Sequence, residues 1–246
     1  MTEPTAEPLA GRPQPIRALV LDLDGTLIDS APDLHAAVAK LLGEEGLDPP
    51  GLMAVTAMIG DGMAKLVERA FAAVGRPVER DALPALVQRF RVHYEGPGRT
   101  RLTRVYPDVP ETLALLRGRG VRLGVCTNKA EAAAVSILAE LGLADLLDAV
   151  VGGDTAPAQK PDPAHVHATI ARMGADPAFT AMVGDSPNDV AAGLAAGLPV
   201  VAVAWGYTTV SPDRLGAAVV LRRFGELPGA LDRLRGHAAG TVRRAD

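Results

Sequence analysis

Four short apolar runs, each stopping at a polar or charged residue, constrain this chain more than any other feature. They are Ala18-Leu-Val-Leu-Asp-Leu-Asp24, Val121-Arg-Leu-Gly-Val-Cys-Thr127, Ala149-Val-Val-Gly152 and Thr180-Ala-Met-Val-Gly-Asp185. Runs of this length and content read as buried strands. Between them the period changes: Ala133, Ala134, Ile137, Leu138 and Leu141, then Val166, Ile170 and Met173, recur at helical spacing. Alternation of strand and helix predicts an α/β fold, a parallel sheet with helices on both faces, and ligands of such sheets bind outside the carboxyl ends of the strands. The polar run-ends are therefore expected along one edge. Val200 to Val203 and Val219 to Leu221 extend the sheet before a last helix around Glu226 to Leu234.

The interval from Ser30 to about Tyr106 follows a different pattern. Met63, Leu66, Val67, Ala70, Phe71 and Val74 obey the i, i+3, i+4 rule, and Leu83, Leu86, Val87, Phe90 and Tyr94 repeat it. The stretch is too long for a crossover. It reads as an all-helical cap over 30–103, inserted into an α/β core of 16–29 and 104–236 and bounded by turns near Asp29 to Pro32 and from Glu95 to Pro107. The acidic, proline-rich residues 1–15 are expected to be a disordered lead-in, and 237–246 a frayed tail.

Composition excludes several classes. With a net charge of -4 and no run of five basic residues, the footprint for nucleic acid is missing. Cys126 is the single cysteine, so neither a disulfide framework nor a thiolate metal cage is available, and a reducing, cytoplasmic setting is expected. The most apolar later stretch, Gly193 to Trp205, is broken by Gly197 and Pro199 and is too short to span a bilayer, so no membrane anchor is expected.

The chemistry concentrates at the run-ends. Asp22-Leu-Asp-Gly-Thr26 places two carboxylates at i and i+2, on one side of a strand end. One can attack an electrophile while the other, near a like charge, has its pKa raised enough to exchange a proton. The bland alternative is a solvated turn capping the next helix. Gly184-Asp-Ser-Pro-Asn-Asp189 adds Asp185 and Asp189, whose bland role is an N-cap with acid in the first helical turn. Thr127-Asn128 and Lys160 close the second and third units, and four such coincidences at one edge outweigh four separate bland readings. Ser186 lacks the final glycine of a nucleophile elbow and reads as a turn or cap residue, and His165 and His167 face different directions on a helix.

On these motifs the chain resembles the haloacid dehalogenase-like hydrolase superfamily, in its phosphoglycolate phosphatase branch, from about Leu21 to Tyr207. The resemblance implies a parallel Rossmann-like sheet core with an inserted helical cap. It implies that Asp22 is a nucleophile forming an aspartyl-phosphate, and that Asp24 protonates the leaving alkoxide and then activates water. It further implies phosphate binding by Thr127, Asn128 and Lys160, and a Mg²⁺ site drawing on Asp22, Asp24, Asp185 and Asp189, the last directly or through water. A hard cation is also what a dianionic phosphate among carboxylates requires. Dehalogenases of the superfamily usually lack the second carboxylate that Asp24 supplies, and β-phosphoglucomutase-type phosphomutases commonly carry valine or isoleucine in place of Thr26.

The expected substrate is a small anionic phosphomonoester such as 2-phosphoglycolate. Sugar phosphates, pyrophosphate, phosphomutase chemistry and a non-catalytic phosphometabolite-binding protein stand as alternatives, and the oligomeric state is open. Ile59-Gly-Asp-Gly-Met-Ala-Lys-Leu-Val67 looks like the cap segment of the branch, with Gly62 opening a helix whose free N-H groups could hold an anion. Lys65 and Arg69 are candidate contacts to a substrate carboxylate; the bland role of Lys65 is a solvated pair with Glu68.

Overall fold

The computed structural model describes residues 15–97 and 101–234, so the lead-in, apart from Pro15, and the tail lie outside the described residues. Six strands form one parallel sheet: β1 (Ala18–Leu21), β4 (Arg122–Thr127), β5 (Ala149–Gly152), β6 (Thr180–Gly184), β7 (Val200–Val203) and β8 (Val219–Leu221). Two further strands, β2 (Ile28–Asp29) and β3 (Arg104–Val105), pair antiparallel beside it. The sheet order is β5-β4-β1-β6-β7-β8, the doubly wound arrangement, with its topological switch between β1 and β6. Leu21 is in register with Val125 of β4 and Val183 of β6, so Asp22, Thr127 and Asp185 emerge at the same carboxyl edge.

Both sheet faces are covered, which explains why the strands read as continuous apolar runs. Leu19 and Leu21 point into a cluster with α5 (Val109–Gly118), α6 (Glu131–Glu140) and α9 (Leu227–Leu234). Ala18 and Val20 point the other way, against α7 (Pro163–Met173) and α8 (Pro187–Ala195). The alternation is the period-two consequence of the pleat.

Between β2 and β3 lie α1 (Ala31–Glu44), α2 (Leu52–Thr56), α3 (Gly62–Ala73) and α4 (Leu83–Glu95). This helical insert has an apolar cluster of its own, built on Leu41, Leu42, Val67, Phe71 and the fully buried Phe90. The β2–β3 pair is the neck of the insert, with Ile28 opposite Val105 and Asp29 opposite Arg104. Asp33, buried in the first turn of α1, fastens the returning chain by accepting from the Leu102 and Thr103 backbone N-H groups and the Thr103 hydroxyl, at 2.6 to 3.0 Å. Among the described residues no helix is long and apolar enough to cross a membrane.

Candidate active site

Asp22 continues β1, and its backbone N-H still donates to Val183 at 2.9 Å, so the sheet fixes where its carboxylate leaves the backbone. The chain then turns tightly, Gly25 N-H donating to the Ile28 carbonyl at 2.9 Å. Gly25 sits at φ +86°, and a Cβ there would lie 2.7 Å from Asp185 Oδ2. Gly206 is closer still: its Cβ would meet Asp185 Cβ at 2.1 Å. These two glycines give the Asp185 carboxylate its space. The Thr26 hydroxyl donates to Asp185 Oδ1 at 3.1 Å and the Tyr207 N-H to Oδ2 at 2.7 Å, so Asp185 is held from both sides.

Lys160 reaches the same floor from the loop after β5. Its buried ammonium donates to Asp22 Oδ1 at 2.6 Å, to Asp189 Oδ1 at 2.7 Å and to the Cys126 carbonyl at 2.7 Å. Those contacts use all its hydrogens. Burial opposes the charge, yet the Asp189 and Asp22 carboxylates outweigh it and hold the ammonium above its ordinary pKa. Asp189 also serves α8. Its Oδ2 accepts from the Ser186 N-H at 2.9 Å while the Ser186 side chain accepts from the Asp189 N-H, a capping box. The helix-cap reading of Ser186 is realised, and Asp189 caps α8 through Oδ2 while its Oδ1 faces Lys160.

Asp24 turns away from this group. Its Oδ2 pairs with Lys129 Nζ at 3.0 Å and its Oδ1 accepts from the Ser30 hydroxyl. Lys129 is buried as well, with a second hydrogen bond to Tyr94 Oη of α4 at 3.0 Å and its ammonium 4.9 Å from the Tyr94 ring centroid. Burial again disfavours the lysine charge, and Asp24 more than restores it.

Thr127 ends β4, buried, its hydroxyl accepting from the Lys129 N-H at 3.2 Å. Asn128 fixes the Lys160 peptide from both sides, Oδ1 accepting from Lys160 N-H at 3.0 Å and Nδ2 donating to its carbonyl at 3.0 Å. The same Nδ2 donates at 2.9 Å to Gly60 of the helical insert, and Asn188 Nδ2 donates at 2.6 Å to Asp61 beside it. Core and insert therefore meet across one cavity of about 330 Å³, the size of a small-ligand pocket.

Every candidate site residue read from the sequence lines that cavity except Lys65. Lys65 stands half-exposed and bonded to Glu68 at 2.8 Å, because α3 buries Leu66, Val67, Ala70 and Phe71 and turns position 65 outward. Arg69 does line the cavity, but its guanidinium is committed to Asp61 at 2.5 Å and to the Met58 carbonyl at 2.8 Å. Gly62 opens α3 at φ +82°, facing the Asn128 carbonyl. Lys129, Tyr94 and Tyr207 were not singled out from the sequence as site residues. Tyr207 bridges Asp185 to the neck of the insert, its hydroxyl donating to Asp29 at 2.8 Å and accepting from the Ser30 N-H at 2.6 Å. His165 is buried beside the site and neutral, pushed down to about 4 by burial and by Lys160.

One oxygen each from Asp22, Asp185 and Asp189 lie within 4.8 Å of one another. Three carboxylates face one ammonium there. Burial, then Asp189, pushes Asp185 up to about 7 and Asp22 well above the usual carboxylate range. An all-oxygen donor set with surplus negative charge fits a hard divalent cation. The Asp24 carboxylate is not in this cluster.

A family model for haloacid dehalogenase-like hydrolases matches residues 16–197, which span both carboxylate motifs, Thr127 and Lys160. The chain belongs to this family. Among relatives of this hydrolase, a phosphoglycolate phosphatase of Rhodospirillum rubrum is 45% identical over 215 residues, covering 86% of this chain and 89% of that one. A phosphoglycolate phosphatase of Caulobacter vibrioides is 41% identical over 218 residues, with the same coverage of 86% and 89%. Among solved structures, one from Haemophilus somnus described as a predicted phosphoglycolate phosphatase superposes with a TM-score of 0.80 at 29% identity, covering 87% of this hydrolase and 97% of that chain.

Proposed function

We propose that this hydrolase is a Mg²⁺-dependent phosphomonoester phosphatase acting on 2-phosphoglycolate through an aspartyl-phosphate at Asp22. The observation that carries the reading is the division of labour between two carboxylates in one cavity: Asp22 is bonded to Lys160 at 2.6 Å, while Asp24, two residues on, is held apart by Lys129 and Ser30. Asp22 lies in the carboxylate cluster beside Lys160, and Asp24 lies outside it, paired with Lys129.

Asp22, Asp185 and, directly or through water, Asp189 would hold Mg²⁺, whose positive charge would offset repulsion between phosphoryl oxygens and carboxylates. The hydroxyl of Thr127 and Lys160, which gives up one of its three present contacts to do so, hold the phosphoryl oxygens, with Asn128 contributing its backbone N-H. Asp22 attacks phosphorus, the ester P-O bond breaks, and Asp24 gives its proton to the departing alkoxide. The salt bridge between Asp24 and Lys129 opens for Asp24 to carry that proton. Asp24 then takes a proton from water as that water attacks the phosphorus, releasing inorganic phosphate and restoring Asp22. The helical insert acts as a cap that shields the transfer from bulk water. Cys126, buried and pushed up to about 12 by burial, has no part in the chemistry and suits a cytoplasmic setting.

The relatives' names and a cavity of small-ligand size support phosphoglycolate. The test is steady-state phosphate release from a panel of phosphomonoesters with and without Mg²⁺. Mg²⁺-dependent turnover with the highest kcat/KM on 2-phosphoglycolate is expected. A preference for sugar phosphates or pyrophosphate moves the substrate, and no turnover on any ester favours a binding protein.

A further inference from the structure

We propose that Lys129 is the residue that recognises the second anionic group of the substrate. The inference rests on the phosphatase reading above and names the charge that sets its specificity.

The cavity is lined by few cations, and the others are committed. Lys160 spends its hydrogens on Asp22, Asp189 and the Cys126 carbonyl, on the nucleophile's side. Arg69 is tied to Asp61 and Met58, and Lys65 lies outside. Lys129 has two hydrogen-bonding partners, Asp24 and the Tyr94 hydroxyl, against the three hydrogens of an ammonium.

Its place matters more than its count. Asp24 acts at the leaving-group oxygen, so a cation within 3.0 Å of Asp24 stands on the leaving-group side of the phosphorus. In 2-phosphoglycolate the leaving group is glycolate, whose carboxylate is one carbon beyond that oxygen. Asp24 turns to the leaving oxygen during the reaction, so its hold on Lys129 is not permanent. Tyr94, by contrast, keeps the ammonium in place through its hydroxyl, 3.0 Å away. Because Tyr94 belongs to α4, the helical insert contributes to specificity by positioning a core lysine rather than by offering a cation of its own.

The experiment compares kcat/KM for 2-phosphoglycolate with that for ethyl phosphate, which has the same chain length and no carboxylate, in wild type, Lys129→Met and Tyr94→Phe. A charge-assisted hydrogen bond contributes roughly 10- to 100-fold. The ratio of the two kcat/KM values should fall at least about ten-fold in Lys129→Met, whatever that variant does to both substrates alike. Tyr94→Phe should lower it several-fold through KM for 2-phosphoglycolate, which keeps the proposal testable should Lys129→Met fold poorly. A ratio unchanged in Tyr94→Phe and in any folded Lys129→Met overturns this inference alone. A wild-type enzyme that hydrolyses ethyl phosphate as well as 2-phosphoglycolate overturns the substrate reading and this inference with it.

Discussion

Replacing Asp185 by Asn should stabilise the metal-free protein at alkaline pH and cost it the benefit of Mg²⁺. Asp185 is buried against Asp189, and its carboxyl is pushed up from 3.8 to about 7 by burial first and Asp189 next. A group whose pKa is raised on folding binds its proton more tightly in the native state. Its stabilising contribution is therefore complete below about pH 4 and lost as the pH climbs through about 7. The rise corresponds to an amount on the order of 4 kcal/mol. An asparagine carries no such loss, and its amide can still accept from the Tyr207 N-H and donate to the Thr26 hydroxyl. In EDTA at about pH 8, Asp185→Asn should thus exceed wild type by up to a few kcal/mol, and at about pH 4 the gap should vanish. Mg²⁺ at about 100 times its Kd should then return roughly 2.7 kcal/mol to wild type and little to the variant. Urea denaturation of both proteins at the two pH values, with EDTA or Mg²⁺, reads the result. An Asp185→Asn protein no more stable than wild type in EDTA at pH 8, or an equal Mg²⁺ gain in both, refutes the reasoning.

Two further substitutions probe the rim. Lys65→Ala should leave kcat/KM for 2-phosphoglycolate within about two-fold of wild type, because an exposed pair with Glu68 contributes little and lies off the cavity; a ten-fold loss in the same phosphate-release assay would return Lys65 to the site. Asn188→Ala removes the 2.6 Å bond to Asp61 that helps hold the insert over the core; KM should rise about ten-fold, the low end for one charge-assisted hydrogen bond, and an unchanged KM would show that this bond does not hold the insert in place.

Much of the core was legible because its signals are local. The apolar runs at Ala18, Val121, Ala149, Thr180, Val200 and Val219 all became strands of one parallel sheet, since burial on both faces demands continuous apolar residues. Their polar ends met at one edge because the strands all run parallel. The β2–β3 neck was not legible, because two-residue strands carry no period. Lys129 went unremarked as a site residue because its partners, Asp24 and Tyr94, lie 105 and 35 positions away along the chain, and only the packing of the insert on the core joins them. The placement of Lys65 was not legible either. Its position near a helix N-terminus suggested an anion contact, while the amphipathic face of α3, set by Leu66, Val67, Ala70 and Phe71, decided that it points to solvent.

The central claim is that Asp22 carries the phosphoryl group. Rapid acid quenching during turnover of 2-phosphoglycolate with Mg²⁺, followed by mass spectrometry of proteolytic peptides, tests it most directly. The account predicts one added phosphoryl group on the peptide containing Asp22, assigned to that side chain, absent in Asp22→Asn and lost when the wild-type reaction is allowed to finish. A phosphoryl group on any other residue, or undiminished turnover by Asp22→Asn, would contradict it.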